Sequence, residues 1–292
     1  MSHMKVVIGV DWSEEAFAAV RQVFELYRPT DVALVHGIDL GIFEYPVLTQ
    51  AASVPGYEDF VRAVTDAGRQ LLDRAADLLP PELKAVKKIN EVGHPAELIR
   101  RSATTMQADL VVVGARGRSR LAEVFLGSVS HHVVTQADRA TLIVKGGAKP
   151  VQRVLVAVEG QEDGDRIVQW LRAHPFTHPV EVCVLNVVEP IRPIDPYDTG
   201  VFQDWAAAEK TGAEDVVKTV GAALLSSHGT VRTSVSTRVA TGEVAQTVAA
   251  EAQDRDLLVV ASHGRRGVNR LLMGSVSHAI LHRAAGSVLV VR

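Results

Sequence analysis

The stretch GARGRSRLAEVFLGSVSHH, Gly114–His132, aligns without a gap to a second stretch, ASHGRRGVNRLLMGSVSHA, Ala261–Ala279. The segment GSVSH stands at Gly127–His131 and again at Gly274–His278. The correspondence runs outward in both directions. ADLVVVGARG from Ala108 matches RDLLVVASHG from Arg255, and ATLIV from Ala140 matches SVLVV from Ser287. Earlier in each half, KVVIGVDWSEEA from Lys5 matches RVLVAVEGQEDG from Arg153, and DVALVHGID from Asp31 matches VEVCVLNVVEP from Val180. The chain is therefore one unit written twice. The halves join at KGGAKPVQR, Lys145–Arg153, where glycines and a proline interrupt the pattern. Domains are expected over residues 4–146 and 152–292.

Within a unit, strand and helix patterns alternate. Strands are predicted over Lys5–Val10, Val32–Ile38, Ala85–Glu91, Leu110–Val113 and Thr141–Val144. Helices are predicted over Glu14–Leu26, Glu58–Leu79, Ala96–Gln107 and Ser128–Ala137. Pro80 and Pro81 stop the second helix, and Pro95 sits near the favoured first turn of the third. Strands that are apolar at every position are buried on both faces. Their alternation with helices calls for parallel pairing through right-handed crossovers. The fold class is α/β: two tandem five-stranded parallel sheets of the Rossmann-like, doubly wound type.

Bulk properties narrow the function. Of 292 residues, 47% are hydrophobic and 22% charged, as in ordinary soluble globular proteins. A net charge of −3 gives no electrostatic reason to expect nucleic acid or an anionic membrane as partner. The lone cysteine, Cys183, excludes an internal disulfide, sits in the apolar run EVCVLNVV as a core thiol, and fits a reducing cytoplasm. No apolar run approaches the roughly 20 residues that span a bilayer. No signal peptide is expected, and the opening MSHM reads as a cloning remnant.

In doubly wound sheets, ligands bind beyond the carboxyl ends of the strands. Gly114 and Gly117 follow a predicted strand as G-x-x-G, and nine residues later Gly127 and Ser128 open a helix. Backbone N–H groups at a helix start have no internal partner and can be given to an anion. Bare glycines at Gly117 and Gly127 let phosphate oxygens approach, and the hydroxyls of Ser128 and Ser130 can donate to them. Bonds to a charged acceptor contribute roughly 1.5–3 kcal/mol each, so three or four suffice for about micromolar nucleotide binding. The plainer roles, a tight turn and an N-cap, do not account for the full spacing. Asp11, ending the first strand, suits a ribose hydroxyl, with capping of the next helix through Ser13 and Glu14 as the alternative. Arg116, Arg118 and Arg120 either add charge at the phosphates or are solvated loop residues. His36 reads as a satisfied structural histidine. His131 and His132 are adjacent on a helix, so they cannot share a face or a metal ion.

The spacing G-x-x-G-x9-G-S resembles that of the universal stress protein family, whose ATP-binding members carry G-x-x-G-x9-G-[ST]. The resemblance covers both halves. VDWS at Val10–Ser13 resembles the family's first strand, where an acidic residue contacts the nucleoside. LVHGID resembles its second strand, where the residue after the histidine offers backbone groups to adenine. GHPAELI from Gly93 resembles the lead into its third helix. The resemblance implies adenine near Gly37 and nucleoside contacts from Asp11 beside Ser13. It implies phosphates held by Gly114, Gly117, Gly127, Ser128 and Ser130, with Arg116 and Val129 counted among the cofactor-binding residues. In the second half the corresponding residues are Glu159, Val187, Ala261, Gly264, Gly274, Ser275, Val276 and Ser277.

Other chemistries lack their motifs. There is no G-x-x-x-x-G-K-[ST], no G-x-S-x-G and no Cys/His set at zinc spacing. The expectation is an ATP-binding stress or signalling protein without dedicated catalytic machinery, any Mg held only through the phosphates. Slow ATP hydrolysis or self-phosphorylation, an AMP or cAMP sensor, and a scaffold acting through protein partners are the alternatives. The apolar final strands TLIVK and SVLVVR suggest pairing between the repeats and a homodimer. Two departures, Ala261 for Gly114 and Glu159 for Asp11, predict that the first site binds more tightly.

Overall fold

A computed structural model describes residues 3–40, 56–83, 85–116, 126–190, 201–226, 234–262 and 273–292. By packing, the chain divides into two units, residues 1–24 with 28–148, and residues 25–27 with 149–292.

Unit 1 runs β1 (Lys5–Gly9), α1 (Glu14–Leu26), β2 (Asp31–Ile38), α2 (Tyr57–Ala76), β3 (Ala85–Val92), α3 (Pro95–Met106), β4 (Leu110–Gly114), α4 (Ser128–Gln136) and β5 (Ala140–Val144). Its strands are all parallel, in the order β3-β2-β1-β4-β5. Unit 2 repeats the series as β6 (Arg153–Ala157), α5 (Gln161–Ala173), β7 (Glu181–Val188), α6 (Val201–Leu225), β8 (Ser234–Thr241), α7 (Val244–Glu251), β9 (Leu257–Ala261), α8 (Ser275–Arg283) and β10 (Ser287–Val291). Its parallel order is β8-β7-β6-β9-β10. Each unit is thus doubly wound: the chain lays down three strands in one direction, then returns to add two on the other side.

Sequence explains the layering. LVVVG of β4 and ATLIV of β5 are buried at every position because helices cover both sheet faces. AVKKINEV of β3 is exposed or half-buried throughout, and Lys88 pairs with Asp73 of α2 at 2.7 Å. Charged side chains are the usual protection of such a poorly covered strand. Element ends depart slightly from the periodicity. α2 ends at Ala76, three residues before the expected stop, because Leu78 and Leu79 turn back onto Ala75 and Ala76 in a tighter i→i+3 pattern. α3 includes Pro95 as its first residue and is capped after Met106 by Gln107, whose left-handed φ of 52° lets its N–H reach the Ala103 and Thr104 carbonyls. Gly114 is the last residue of β4, in register with Val144, where the sequence placed it just past the strand.

Two packing details carry measurable consequences. A Cβ on Gly114 would lie 2.8 Å from the Glu15 carbonyl carbon and 2.9 Å from the Ala16 nitrogen. Both are backbone atoms, which cannot swing aside. Gly114→Val is therefore expected to destabilise unit 1 by about 1–3 kcal/mol in denaturant titration. A variant as stable as the wild type would show that α1 does not press on β4. In unit 2, Asp163 is 6% exposed and pairs with Arg166 at 2.7 Å. Burial, reinforced by the nearby Glu159 carboxylate and opposed by Arg166, pushes the Asp163 carboxyl up to about 6. The folded state then holds a proton that the unfolded state has released, so this group's contribution declines as pH rises from about 4 to about 6. Relative to wild type, Asp163→Asn should gain stability on the order of 2 kcal/mol between pH 4 and pH 7. Thermal melts at both pH values check this, and a pH-independent difference refutes it.

Candidate functional site

The strand order of unit 1 reverses between β1 and β4. The chain leaves these neighbours in opposite directions, so a crevice opens at their carboxyl ends. A small, open cleft of about 110 Å³ occupies this position. β1 contributes Gly9 and the following Val10 and Asp11, and β2 contributes Val35, His36 and Gly37. Pro95 and Ile99 of α3 form one wall. Gly114, Arg116, Val129 and Ser130 form the end towards α4.

The inner wall depends on glycines that admit α3. A Cβ on Gly9 would lie 2.5 Å from Ile99 Cδ1, and one on Gly37 would lie 2.6 Å from Pro95 Cα. Gly37 thus brings the α3 start over the second strand, and Pro95 supplies the surface that the bare glycine lacks. His36 Nδ1–H donates to the Val10 carbonyl at 2.9 Å, in keeping with its reading as a structural histidine. Asn186 does the same in unit 2, with Nδ2 donating to the Val158 carbonyl at 2.9 Å.

The loop from β1 to α1 is held by its own side chains. The Ser13 N–H donates to Asp11 Oδ1 at 2.9 Å, and the Ser13 hydroxyl hydrogen-bonds to the same oxygen. Ser13 Oγ accepts from the Ala16 N–H at 3.2 Å, capping α1, and lies 3.2 Å from the Arg116 carbonyl. The expected alternative for Asp11 is thus met in a modified form: Ser13 caps the helix, and Asp11 orients Ser13. Every bond to Asp11 described here uses Oδ1.

The opposite end is the first turn of α4. Gly127 is its N-cap, with φ −62° and ψ 153°, and no side chain caps the turn. The Gly127 N–H donates to the Ala115 carbonyl at 2.8 Å, and the His131 N–H is the first to bond back within the helix. By helix geometry, the N–H groups of Ser128, Val129 and Ser130 have no intrahelical acceptor. Ser128 is exposed and Ser130 is buried. Ser130 Oγ donates to the Gly114 carbonyl at 2.5 Å. Its proton pins α4 to β4. Gly114 also has a packing role. It lines the cleft, but its missing side chain makes room for α1. Gly117, Arg118 and Arg120 lie outside the described residues.

Beyond the strand ends, Lys145 follows β5 and is half-buried. Burial, with the positive charge of Arg116, brings its ammonium down to about 8. Neither Lys145 nor Pro95 is among the residues singled out from sequence. Its counterpart Arg292 also follows a final strand.

Unit 2 keeps one end of this arrangement and changes the other. Gly274 has φ −63° and ψ 152°, and its N–H donates to the Ser262 carbonyl at 2.8 Å. Ser277 Oγ donates to the Ala261 carbonyl at 2.9 Å, the same pin as Ser130. Ser275 and Val276 are exposed, and Val187 is half-buried at the place of Gly37. Gly264 lies outside the described residues. In the first loop, Glu159 and Gly160 replace Asp11 and Trp12, and Gly160 caps α5 without a side-chain bond. Gln161, at the place of Ser13, donates through Nε2 to Asp165 at 2.7 Å.

Known proteins place this architecture. The profile of the universal stress protein family matches residues 3–145 and again residues 150–292. A universal stress protein of Mycobacterium tuberculosis is 26% identical over 314 residues, covering 98% of this chain and 96% of the relative. One from Synechocystis is 31% identical over 156 residues, covering 50% of this chain and 99% of the relative. The crystal structure of a universal stress protein from Archaeoglobus fulgidus shares the fold, with a TM-score of 0.65 at 17% identity over 99% of this chain and 98% of that one. With its profile matched twice across nearly the whole length, the chain belongs to the universal stress protein family as a tandem, two-domain member.

Proposed function

We propose that this protein binds an adenine nucleotide, ATP by first choice and AMP or cAMP next, as a stress-response or signalling device rather than a dedicated enzyme. The observation that carries the reading is the α4 first turn, whose N-terminal N–H groups border a cleft at the switch point. In this reading adenine lies by Gly37 and Pro95, and Asp11 Oδ2 accepts a ribose hydroxyl while Oδ1 remains with Ser13. The phosphates lie on the N–H groups of Ser128, Val129 and Ser130, with the Ser128 hydroxyl and Arg116 beside them. Gly114 and Gly117 shape that end. A divalent ion is held through the phosphates and water. A cytoplasmic location and a homodimer belong to the same proposal. No helix among the described residues is long and apolar enough to cross a membrane.

Isothermal titration of the full chain with ATP, AMP and cAMP tests this directly. The expected result is saturable heat with a Kd of about micromolar for at least one of them. Absence of heat with all three at protein concentrations near ~100 micromolar, well above such a Kd, refutes the proposal.

The two sites are proposed to differ, the first being tighter. Unit 1 has the Asp11–Ser13 loop in contact with the Arg116 carbonyl, whereas Gln161 bonds to Asp165 in unit 2. The paired variants Gly127→Val and Gly274→Val each block one helix start. Blocking the first should weaken overall ATP affinity by about tenfold, and blocking the second by less. The reverse ranking in titration would assign the tighter site to unit 2.

A further inference from the structure

We propose that Lys145 and Arg116 form the polyphosphate-reading end of the unit 1 site, so that a nucleoside triphosphate is held there in preference to the monophosphate. The inference rests on the nucleotide reading above and adds to it a residue that chooses among nucleotides by charge.

The placement follows from the register of the last two strands. Gly114 pairs with Val144, so Lys145 emerges level with Ala115. The Ala115 N–H donates to the Val144 carbonyl at 2.7 Å, and the Ala115 carbonyl accepts from the Gly127 N–H at 2.8 Å. Lys145 therefore leaves the sheet beside the residue from which the first turn of α4 hangs. Arg116 is one residue further along and lines the cleft. Lys145 is near enough to the cleft-lining Arg116 to feel its charge, at the strand ends where the positive end of the α4 dipole, roughly half a charge, begins.

This concentration opposes stability. A cation is favourable at a helix C-terminus and unfavourable at an N-terminus. Lys145 is also drawn partly out of water beside a like charge, and its lowered pKa of about 8 is the mark of that conflict. An anion placed between the groups reverses each term, because it restores the charged lysine and supplies a common counter-charge. The N–H groups of α4 suffice for one phosphate group. The remaining charge of a triphosphate is what Arg116 and Lys145 are placed to meet. In unit 2 Arg292 likewise follows β10, but His263 stands in the sequence at the place of Arg116.

The test is calorimetric titration of the full chain with ATP, AMP and inorganic tripolyphosphate, for wild type, Lys145→Gln and Lys145→Arg. Circular dichroism and thermal melting verify that the variants fold. Lys145→Gln is expected to weaken ATP by about tenfold and AMP by less than about twofold, while Lys145→Arg keeps the ATP affinity. Equal weakening of ATP and AMP, or no weakening of either, overturns the proposal and leaves the nucleotide reading standing. Lys145-dependent binding of tripolyphosphate by a protein that ignores every adenine nucleotide supports the polyphosphate site and sinks the nucleotide reading. Failure of all three probes to bind wild type overturns both.

Discussion

The first turn of α4 hangs from the end of β4 by two hydrogen bonds, from the Gly127 N–H to the Ala115 carbonyl and from the Ser130 hydroxyl to the Gly114 carbonyl. The proposed site in unit 1 depends on this attachment. It closes the β4 strand end, whose carbonyls have passed beyond their sheet partners. It also fixes where the helix dipole points, because the helix start cannot drift from the strand that forms the cleft floor. A helix start tethered only by a loop would lose much of its anion affinity to the entropy of ordering that loop. Here the ordering is done by folding, before any ligand arrives.

The same economy explains the glycines. Three parts of the protein converge on the cleft: the α1 start, the α3 start and the α4 start. The first two approach a strand end more closely than a side chain permits. Gly114 admits α1, while Gly9 and Gly37 admit α3. The cleft is narrow because the helices are close, and the helices are close because the strand ends lack side chains at these points. Pro95 then serves packing and binding together, contacting the Gly37 backbone and presenting its ring to the cleft.

Repeat, layer order and the cleft's position were legible in the sequence, because each rests on patterns that a linear reading can count. A strand apolar at every residue, such as LVVVG, admits few placements, and a helix opening with GSVS after it fixes the ligand end of the sheet. The individual duties of the residues were less legible. Ser130 and Ser128 look alike in sequence, yet one is buried against a carbonyl and the other is exposed. The difference arises from helix phase relative to β4, which no local pattern encodes. Gly114 suggested phosphate access, but the atoms nearest its missing Cβ belong to α1, distant in sequence and adjacent in the fold. Lys145 lay unmarked beside the join, since one cation after a strand carries no signal until the register places it next to α4.

Comparison of the two units separates what folding requires from what a ligand would require. The attachment of helix to strand is preserved in detail: the Gly274 N–H and the Ser277 hydroxyl repeat the bonds of Gly127 and Ser130. The first loop is not preserved. Asp11 and Ser13 give way to Glu159 and Gln161, and a buried carboxyl at Asp163 with its pKa raised to about 6 stands near Glu159. A fold can lose the Asp11–Ser13 arrangement at the cost of one helix cap, about 1 kcal/mol. It cannot so readily lose the attachment of α4, which closes a strand end and seats a buried helix. Retention of GSVS in both halves is therefore explained in part by folding alone. What bears specifically on a ligand is the part that folding does not need: the exposed Ser128, the carboxylate of Asp11 at the cleft, and two cations set beside a helix N-terminus. Those three features are found together in unit 1. That coincidence, more than the repeated segment itself, is what favours the first unit in the proposed nucleotide reading.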